Sequence, residues 1–284
     1  MKLVWMKGIL AGIFFALLPV VTVPFTAYAQ GQQGDSNTER LIMHLQPAPE
    51  PVEKDKTTLF SYYEPSTVLT GNSPGRWAEL TNGFAYQHKN ITGYASFSRF
   101  NRYDDIDYTA NFGTYINLKD QYVHFEAGFG WLNDYMYNIQ TITEYAHRIY
   151  KGLFGQIGYN YRGMVGPDSH TIYPGLVYYF GDSYMSADWG INTIEGRDTA
   201  YFGVVKGNFA ITKFLDLWSG FAFGERLYDI YGYDASQSKG YILFGGVTIK
   251  VYKDILNVKV GGSYGEEDPK FIKRSLIFST AVTF

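Results

Sequence analysis

From about residue 57 onward the chain alternates apolar and polar positions in stretches of about ten residues, separated by short clusters of Asp, Asn, Lys, Gly and Pro. Over residues 122–131, Val123, Phe125, Ala127, Phe129 and Trp131 fall on one face of an extended chain, with Tyr122, His124, Glu126, Gly128 and Gly130 on the other. Residues 256–264 divide the same way, Leu256, Val258, Val260, Gly262 and Tyr264 against Asn257, Lys259, Gly261 and Ser263. A period of two is the signature of a strand. An apolar face backed by a polar, glycine-rich one suits a sheet with lipid outside and water inside, the inverse of a soluble barrel with a dry core. Within residues 93–102 the pattern fails, because Phe97 shares a face with Arg99, and the faces of that strand stay unassigned.

Turn clusters recur at 88–90, 104–107, 118–120, 150–152, 166–169, 181–183, 195–198, 212–213, 252–254 and 266–269, with two longer connections at 132–141 and 228–238. One strand near 57–63 and thirteen between Trp77 and Phe284 predict an all-β fold. It is a transmembrane antiparallel up-and-down barrel of about fourteen strands, twelve and sixteen being the alternatives, because single-chain bacterial barrels carry even numbers. The last strand runs to the final residue, with Leu276, Phe278, Val282 and Phe284 on one face. That pattern is expected to be the assembly signal that barrel-assembly machinery reads, as well as the strand that closes the sheet.

Upstream the texture differs. Lys2 and Lys7 precede an apolar stretch from 8 to 23, and Ala27-Tyr28-Ala29 supplies small residues where a signal peptidase cuts. Residues 1–29 therefore read as a secretory signal peptide. Residues 30–56, rich in Gln, Gly, Pro and charge, read as a flexible periplasmic leader; 38–45 has the makings of one or two helical turns that would plug a lumen. The barrel is assigned to 57–284. No later stretch is apolar enough to span a bilayer as a helix, so a membrane role requires a barrel.

Composition sharpens this reading. Aromatic residues make up 18% of the chain, with 26 Tyr and 21 Phe, yet mean hydropathy is -0.17. Aromatics are wanted without a continuous apolar run. Trp77, Trp131, Tyr150, Trp189, Trp218 and Tyr252 lie near strand ends and fit interfacial girdles. The chain has no cysteine, so its stability must come from burial or a closed hydrogen-bonded sheet. Loss of Lys2 and Lys7 with the signal peptide takes the formal charge from -3 to -5, which gives no reason to expect nucleic acid as a partner.

The candidate chemistry is on the inner wall. His124, Glu126, Glu144, Arg148, Asn160 and Arg162 lie on polar faces of neighbouring strands, and Arg99, Arg102 and Lys259 are expected to join them. Two readings stay open: a salt-bridge network that stiffens and blocks the barrel, or a mixed-charge channel that selects solutes or sugar chains. Ser169-His170 follows Gly166-Pro167-Asp168 and reads as turn chemistry rather than a catalytic pair, since no third residue orients the His. No cluster at metal-ligand spacing and no phosphate loop is present, so neither metal nor cofactor is expected.

The run Thr143-Glu144-Tyr145-Ala146-His147-Arg148-Ile149-Tyr150-Lys151-Gly152-Leu153-Phe154-Gly155-Gln156-Ile157-Gly158-Tyr159-Asn160-Tyr161-Arg162, followed by Tyr173-Pro174-Gly175-Leu176-Val177-Tyr178-Tyr179-Phe180, resembles the YaiO-type outer-membrane barrel family. Trp77, Arg99 and Arg102 ahead of an acidic turn, and Gly224-Glu225-Arg226 before the late long loop, are similar too. The resemblance implies a non-enzymatic barrel in the outer membrane of a diderm bacterium, in contact with outer-membrane lipid. It implies a transport or surface role linked to exopolysaccharide export, with polysaccharide as a partner. Exporters of cellulose type carry helical repeats of about 34 residues before the barrel; the leader is too short for one, so any periplasmic scaffold would be a separate protein. The rival readings are a general diffusion porin and a lipid-modifying outer-membrane enzyme.

Overall fold

The computed structural model describes residues 55–284 except 104, 132–135, 165–166, 226, 228–237, 253–254 and 269–270. The expected signal peptide and nearly all of the leader, including 38–45, lie outside the described residues. Fourteen strands follow one another: β1 (Lys56–Thr70), β2 (Ser73–His88), β3 (Ile91–Arg102), β4 (Asp105–Leu118), β5 (Gln121–Trp131), β6 (Ile139–Tyr150), β7 (Leu153–Gly163), β8 (Ser169–Phe180), β9 (Ser183–Ile194), β10 (Ala200–Thr212), β11 (Leu215–Glu225), β12 (Lys239–Val251), β13 (Leu256–Glu267) and β14 (Phe271–Thr283). Each pairs antiparallel with the next, and β14 returns to β1, closing an up-and-down barrel. The last residue takes part: Phe284 N–H donates to the Thr57 carbonyl at 2.8 Å, and Thr57 N–H donates to the Phe284 carbonyl at 3.3 Å.

Connections sort by rim. At the rim that holds the two ends of the barrel, the near rim, hairpins turn tightly, with Lys89, Lys151 and Gly181 at positive φ, as right-twisted hairpins demand. At the far rim the longer connections 132–138 and 226–238 match the two long loops expected from the sequence. The first strand is longer than the expected 57–63. Glu64-Pro65 looks like a turn, but the chain stays extended to Thr70. Pro65 pairs with Ala78 on the β2 side, and the ladder to β14 lapses at Glu64 and Pro65, where proline has no N–H to give.

The outer face is apolar around the barrel: Phe84, Phe112, Phe125, Ile157, Leu176, Trp189, Phe221, Leu243, Leu276 and Phe278 are all exposed, Leu276 by 57%. A band of this extent is a surface for lipid, not water. Three expectations are corrected. Trp77 and Trp218 are buried inside the barrel rather than in a girdle, because each alternates in phase with inward polar residues, Glu79 and Thr81 in β2 and Asp216 in β11. Arg99 lies on the outer face, in phase with Phe97 and paired with Leu80 and Tyr108. Trp131, Trp189, Tyr150 and Tyr252 do face outward.

The closing seam carries a buried ion pair. Lys273 Nζ lies 2.9 Å from Glu64 Oε1, with both side chains almost fully enclosed, and Tyr62 donates its hydroxyl to the same carboxylate. Ser66 and Ser275 hydroxyls meet beside it at 2.8 Å. Removing one member strands a charge in the barrel interior. Lys273→Ala is expected to destabilise the refolded barrel by about 3–5 kcal/mol, whereas the double variant Glu64→Gln/Lys273→Met should lose clearly less. Denaturant titration in micelles, followed by tryptophan fluorescence, checks both; equal losses would show that the pair adds nothing at the seam.

Candidate functional site

Because the outer face is given to lipid, period-two alternation places the polar half of every strand in the lumen. The inner wall therefore holds ionisable groups from many strands: Glu64, Glu79, Arg102, Asp107, Glu126, Glu144, Arg162, Asp188, Lys206, Asp216, Lys259 and Lys273. Burial of these charges is tolerable only where each finds partners or water.

A continuous hydrogen-bonded network runs across β3, β5, β6, β7 and β8. His124 Nδ1 lies 2.7 Å from Glu144 Oε2, and its Nε2 lies 2.7 Å from the Tyr94 hydroxyl. Tyr94 in turn donates to Glu126 Oε2 at 2.5 Å. Gln140 Nε2 donates to Glu126 Oε1 at 2.9 Å, and Arg162 Nε donates to Gln140 Oε1 at 2.7 Å. Tyr173 donates to the second oxygen of Glu144 at 3.1 Å. Tyr115 stacks flat on the His124 ring, centroids 4.0 Å apart. Beside this network Tyr122 donates to Gln156, and Gln156 to Asp188. Two glycines make the geometry possible: a Cβ on Gly113 would overlap the Tyr94 ring, and one on Gly158 would overlap Tyr173. Each tyrosine thus lies against the wall and reaches a strand beyond its neighbour.

The expected lumen residues divide accordingly. His124, Glu126, Glu144 and Arg162 belong to one network. Arg102 faces the lumen nearer the far rim, its guanidinium 4.6 Å from the Trp77 ring. Arg148 is inward in phase but sits at the near rim, paired at 3.0 Å with Asp120 and largely exposed. Lys259 faces inward with its ammonium 4.0 Å from the Trp218 ring. Arg99 stands apart on the outside. Ser169 and His170 point to opposite faces: Ser169 bonds Asn192 inside, and His170 meets the Tyr159 hydroxyl outside.

Tyr94, Gln140 and Tyr173 were not singled out from the sequence. Their signal was phase alone, and in β3 the Phe97 and Arg99 conflict obscured it.

The two halves of the lumen differ. Toward the far rim, Val68, Trp77, Tyr173, Phe202, Val204, Ala222, Ile242 and Phe271 pack as one apolar cluster, joined by Leu227 from the long far-rim connection. A second cluster unites Phe100 with Met136 and Tyr137. The short segment 136–138 is pinned inside: Met136 N–H donates to Asp107 at 2.7 Å, and the Tyr137 hydroxyl donates to Asn111 at 2.6 Å. Toward the near rim, Thr58, Phe60, Ala85, Asn208, Thr248, Lys259 and Ser279 are only partly buried. Along β3–β8 the near half is packed too, with Thr92, Asn117, Tyr122, Ala146 and Val177 buried, so the looser near-rim wall is that of β10, β12–β14, β1 and β2.

No family model and no curated protein matches this chain. Among solved structures it is similar to a bacterial polysaccharide outer membrane secretin, with a TM-score of 0.56 and 9% identity over 81% of this chain and 98% of that one. OpdL of Pseudomonas aeruginosa matches with a TM-score of 0.46 and 8% identity over 81% of this chain and 98% of its own. The translocator domain of autotransporter NalP from Neisseria meningitidis matches with a TM-score of 0.44 and 10% identity over 87% and 92%. The fold is that of an outer-membrane β-barrel.

Glu144 is the acceptor at the centre of the network. Glu144→Ala leaves the His124 ring and the Tyr173 hydroxyl without their buried acceptor and should cost about 2–5 kcal/mol. Tyr173→Phe, which leaves Glu144 still bonded to His124, should cost less than half as much. Thermal unfolding read by gel mobility ranks the two; the reverse order would show that Glu144 is not the keystone.

Proposed function

We propose that the chain is a YaiO-like outer-membrane transport barrel that serves exopolysaccharide export and performs no catalysis. The observation that carries this reading is the lumen itself: a tyrosine-lined, mixed-charge wall, looser near the near rim on one side and closed by packed side chains in its far half. The near rim, with its tight turns and both ends of the barrel, is the periplasmic one, since outer-membrane barrels keep short turns there and longer loops outside. Tyr62, Tyr94, Tyr115, Tyr179 and Tyr184 present rings along the wall, a lining on which successive sugar rings can slide while charged groups order the hydroxyls. The likeness in fold to a polysaccharide secretin is in keeping with this reading.

A general diffusion porin would need a wide water-filled passage, and in the far half Trp77, Tyr173, Phe202 and Phe271 are instead buried in one cluster with Leu227, while Met136 and Tyr137 pack against Phe100. A lipid-modifying enzyme would need Ser, His and carboxylate within hydrogen-bond reach at a rim. Ser169 and His170 point away from each other, and His124 is bonded to Glu144 and Tyr94 deep in the wall. Partners on this reading are outer-membrane lipid, the exported polysaccharide and a separate periplasmic scaffold protein.

In a planar bilayer the refolded mature chain should show little steady conductance, with or without residues 30–54. Phe202→Ala/Trp77→Ala should conduct several-fold more, and soluble β-linked glucan oligomers added at the near rim should block that current. Wide ohmic steps from the unmodified chain, indifferent to glycan, would favour the porin instead. The terminal strand yields a separate expectation. Deleting Phe284 removes its ladder bonds to Thr57 and the aromatic end that assembly machinery is proposed to read, so the heat-modifiable form should fall sharply in cells. Unchanged assembly would rule out Phe284 as that signal.

A further inference from the structure

The inner wall is bonded unevenly. On the β3 to β8 side the charged groups around Glu144 meet partners, whereas on the β10 to β13 side donors stand without acceptors. Lys206 of β10 is 7% exposed, and its Nζ has no hydrogen-bond partner among the described residues. Trp218 of β11 is equally enclosed, and its Nε1 has none either. Lys259 of β13 holds its ammonium 4.0 Å from the Trp218 ring. Neither lysine is in an ion pair among the described residues.

Backbone geometry brings these groups together. Trp218 pairs with Asn208, two residues along β10 from Lys206 and in phase with it. Its indole lies across β12 and β13, where a Cβ on Gly246 or Gly261 would overlap the ring, so it reaches Lys259 two strands away. A Cβ on Gly220 would meet both the Phe244 ring and the Lys206 side chain, which places Phe244 along the edge of the same patch.

The carboxylates nearby are engaged elsewhere. Asp188 accepts the Gln156 amide, Asp216 pairs with Lys250 at 2.9 Å, and Glu144 holds His124 and Tyr173. Asp188 and Glu144 act on Lys206 only through space, and Lys259 repels it. An ammonium without an acceptor is costly to bury, and such a group calls for a partner from outside the fold. Ammonium and indole N–H are donors that cannot accept, so what completes this patch is a negatively charged acceptor. The way in is from the near rim, where Asn208, Thr248 and Lys259 are only partly buried.

We propose that this stretch of wall is a subsite for a sugar that carries a carboxylate, the carboxylate held by Lys206 and Lys259 and a sugar hydroxyl by Trp218 Nε1. The inference rests on the glycan-export reading and narrows its substrate to an acidic exopolysaccharide.

The test is isothermal titration calorimetry of the refolded chain in neutral detergent with a β-linked tetramer of glucuronic acid, the matching glucose tetramer, or acetate. The uronate tetramer should bind about tenfold or more tighter than the glucose tetramer, and acetate far more weakly than the uronate. Lys206→Met/Lys259→Met should erase that preference while still shifting on heating in gels. Lys259→Gln alone, at the half-buried position, should lose part of it, which keeps the test decisive if the double variant does not fold. Arg148→Gln/Lys151→Gln, which removes equal charge at the near rim, should keep the preference. Tetramers bound alike, acetate bound as tightly as the uronate, or a preference that survives in the double variant or vanishes in the rim variant would overturn the subsite and leave glycan export standing. Binding of neither tetramer would sink the export reading along with it.

Discussion

Closure of the backbone hydrogen-bond ladder is the constraint on which the rest of this molecule depends. In hydrocarbon an unpaired N–H or C=O has no water to turn to, so a sheet that crosses a membrane must have no edge. Here the fourteenth strand meets the first, and Phe284 and Thr57 complete the last ladder bonds. Pro65 is the one residue at the seam that cannot donate. The lapse it causes lies beside the Glu64 and Lys273 ion pair and the bonded Ser66 and Ser275 hydroxyls, so side chains join the two strands where the backbone does not.

Once closure fixes which face meets lipid, the inner wall inherits every polar group the strands carry. Groups that would sit in water on a soluble surface are crowded together, and the tyrosines become connectors. Tyr94 reaches from β3 to His124 and Glu126 on β5, and Tyr173 from β8 to Glu144 on β6. Both cross an intervening strand at a glycine, Gly113 and Gly158. The glycine-rich inner face and the excess of tyrosine are therefore one feature: small residues clear the wall so that long polar ones can lie along it.

The barrel was legible in the sequence because alternation, turn chemistry and strand number are local properties that add up along the chain. His124, Glu126, Glu144 and Arg162 were legible for the same reason, since phase places them inside. What phase does not carry is which inward residues meet. His124 and Glu126 are two residues apart in one strand, yet their link passes through Tyr94 of another. Arg99 shows the opposite failure. Its charge suggested the lumen, but it shares its phase with Phe97, and the pleat admits no exception. Trp77 and Trp218 were misplaced because aromatic residues near strand ends serve equally well as girdle or as filling, and only the register of β2 and β11 separates the two uses.

That filling follows from width. Eight strands enclose a space that wall side chains can close by themselves, and the interior grows with every strand added. Fourteen leave a gap that residues anchored on the wall bridge only if they are large and if chain from the loops enters as well. The far half has both: Trp77, Tyr173, Phe202 and Phe271 reach inward, and Leu227, Met136 and Tyr137 enter from the connections at that rim. The near half, joined by tight hairpins, has no such inserted chain among the described residues, and its wall is looser along β10, β12–β14, β1 and β2. The network around Glu144 holds one side of the wall in place, while the apolar cluster and the inserted segment fill the far half.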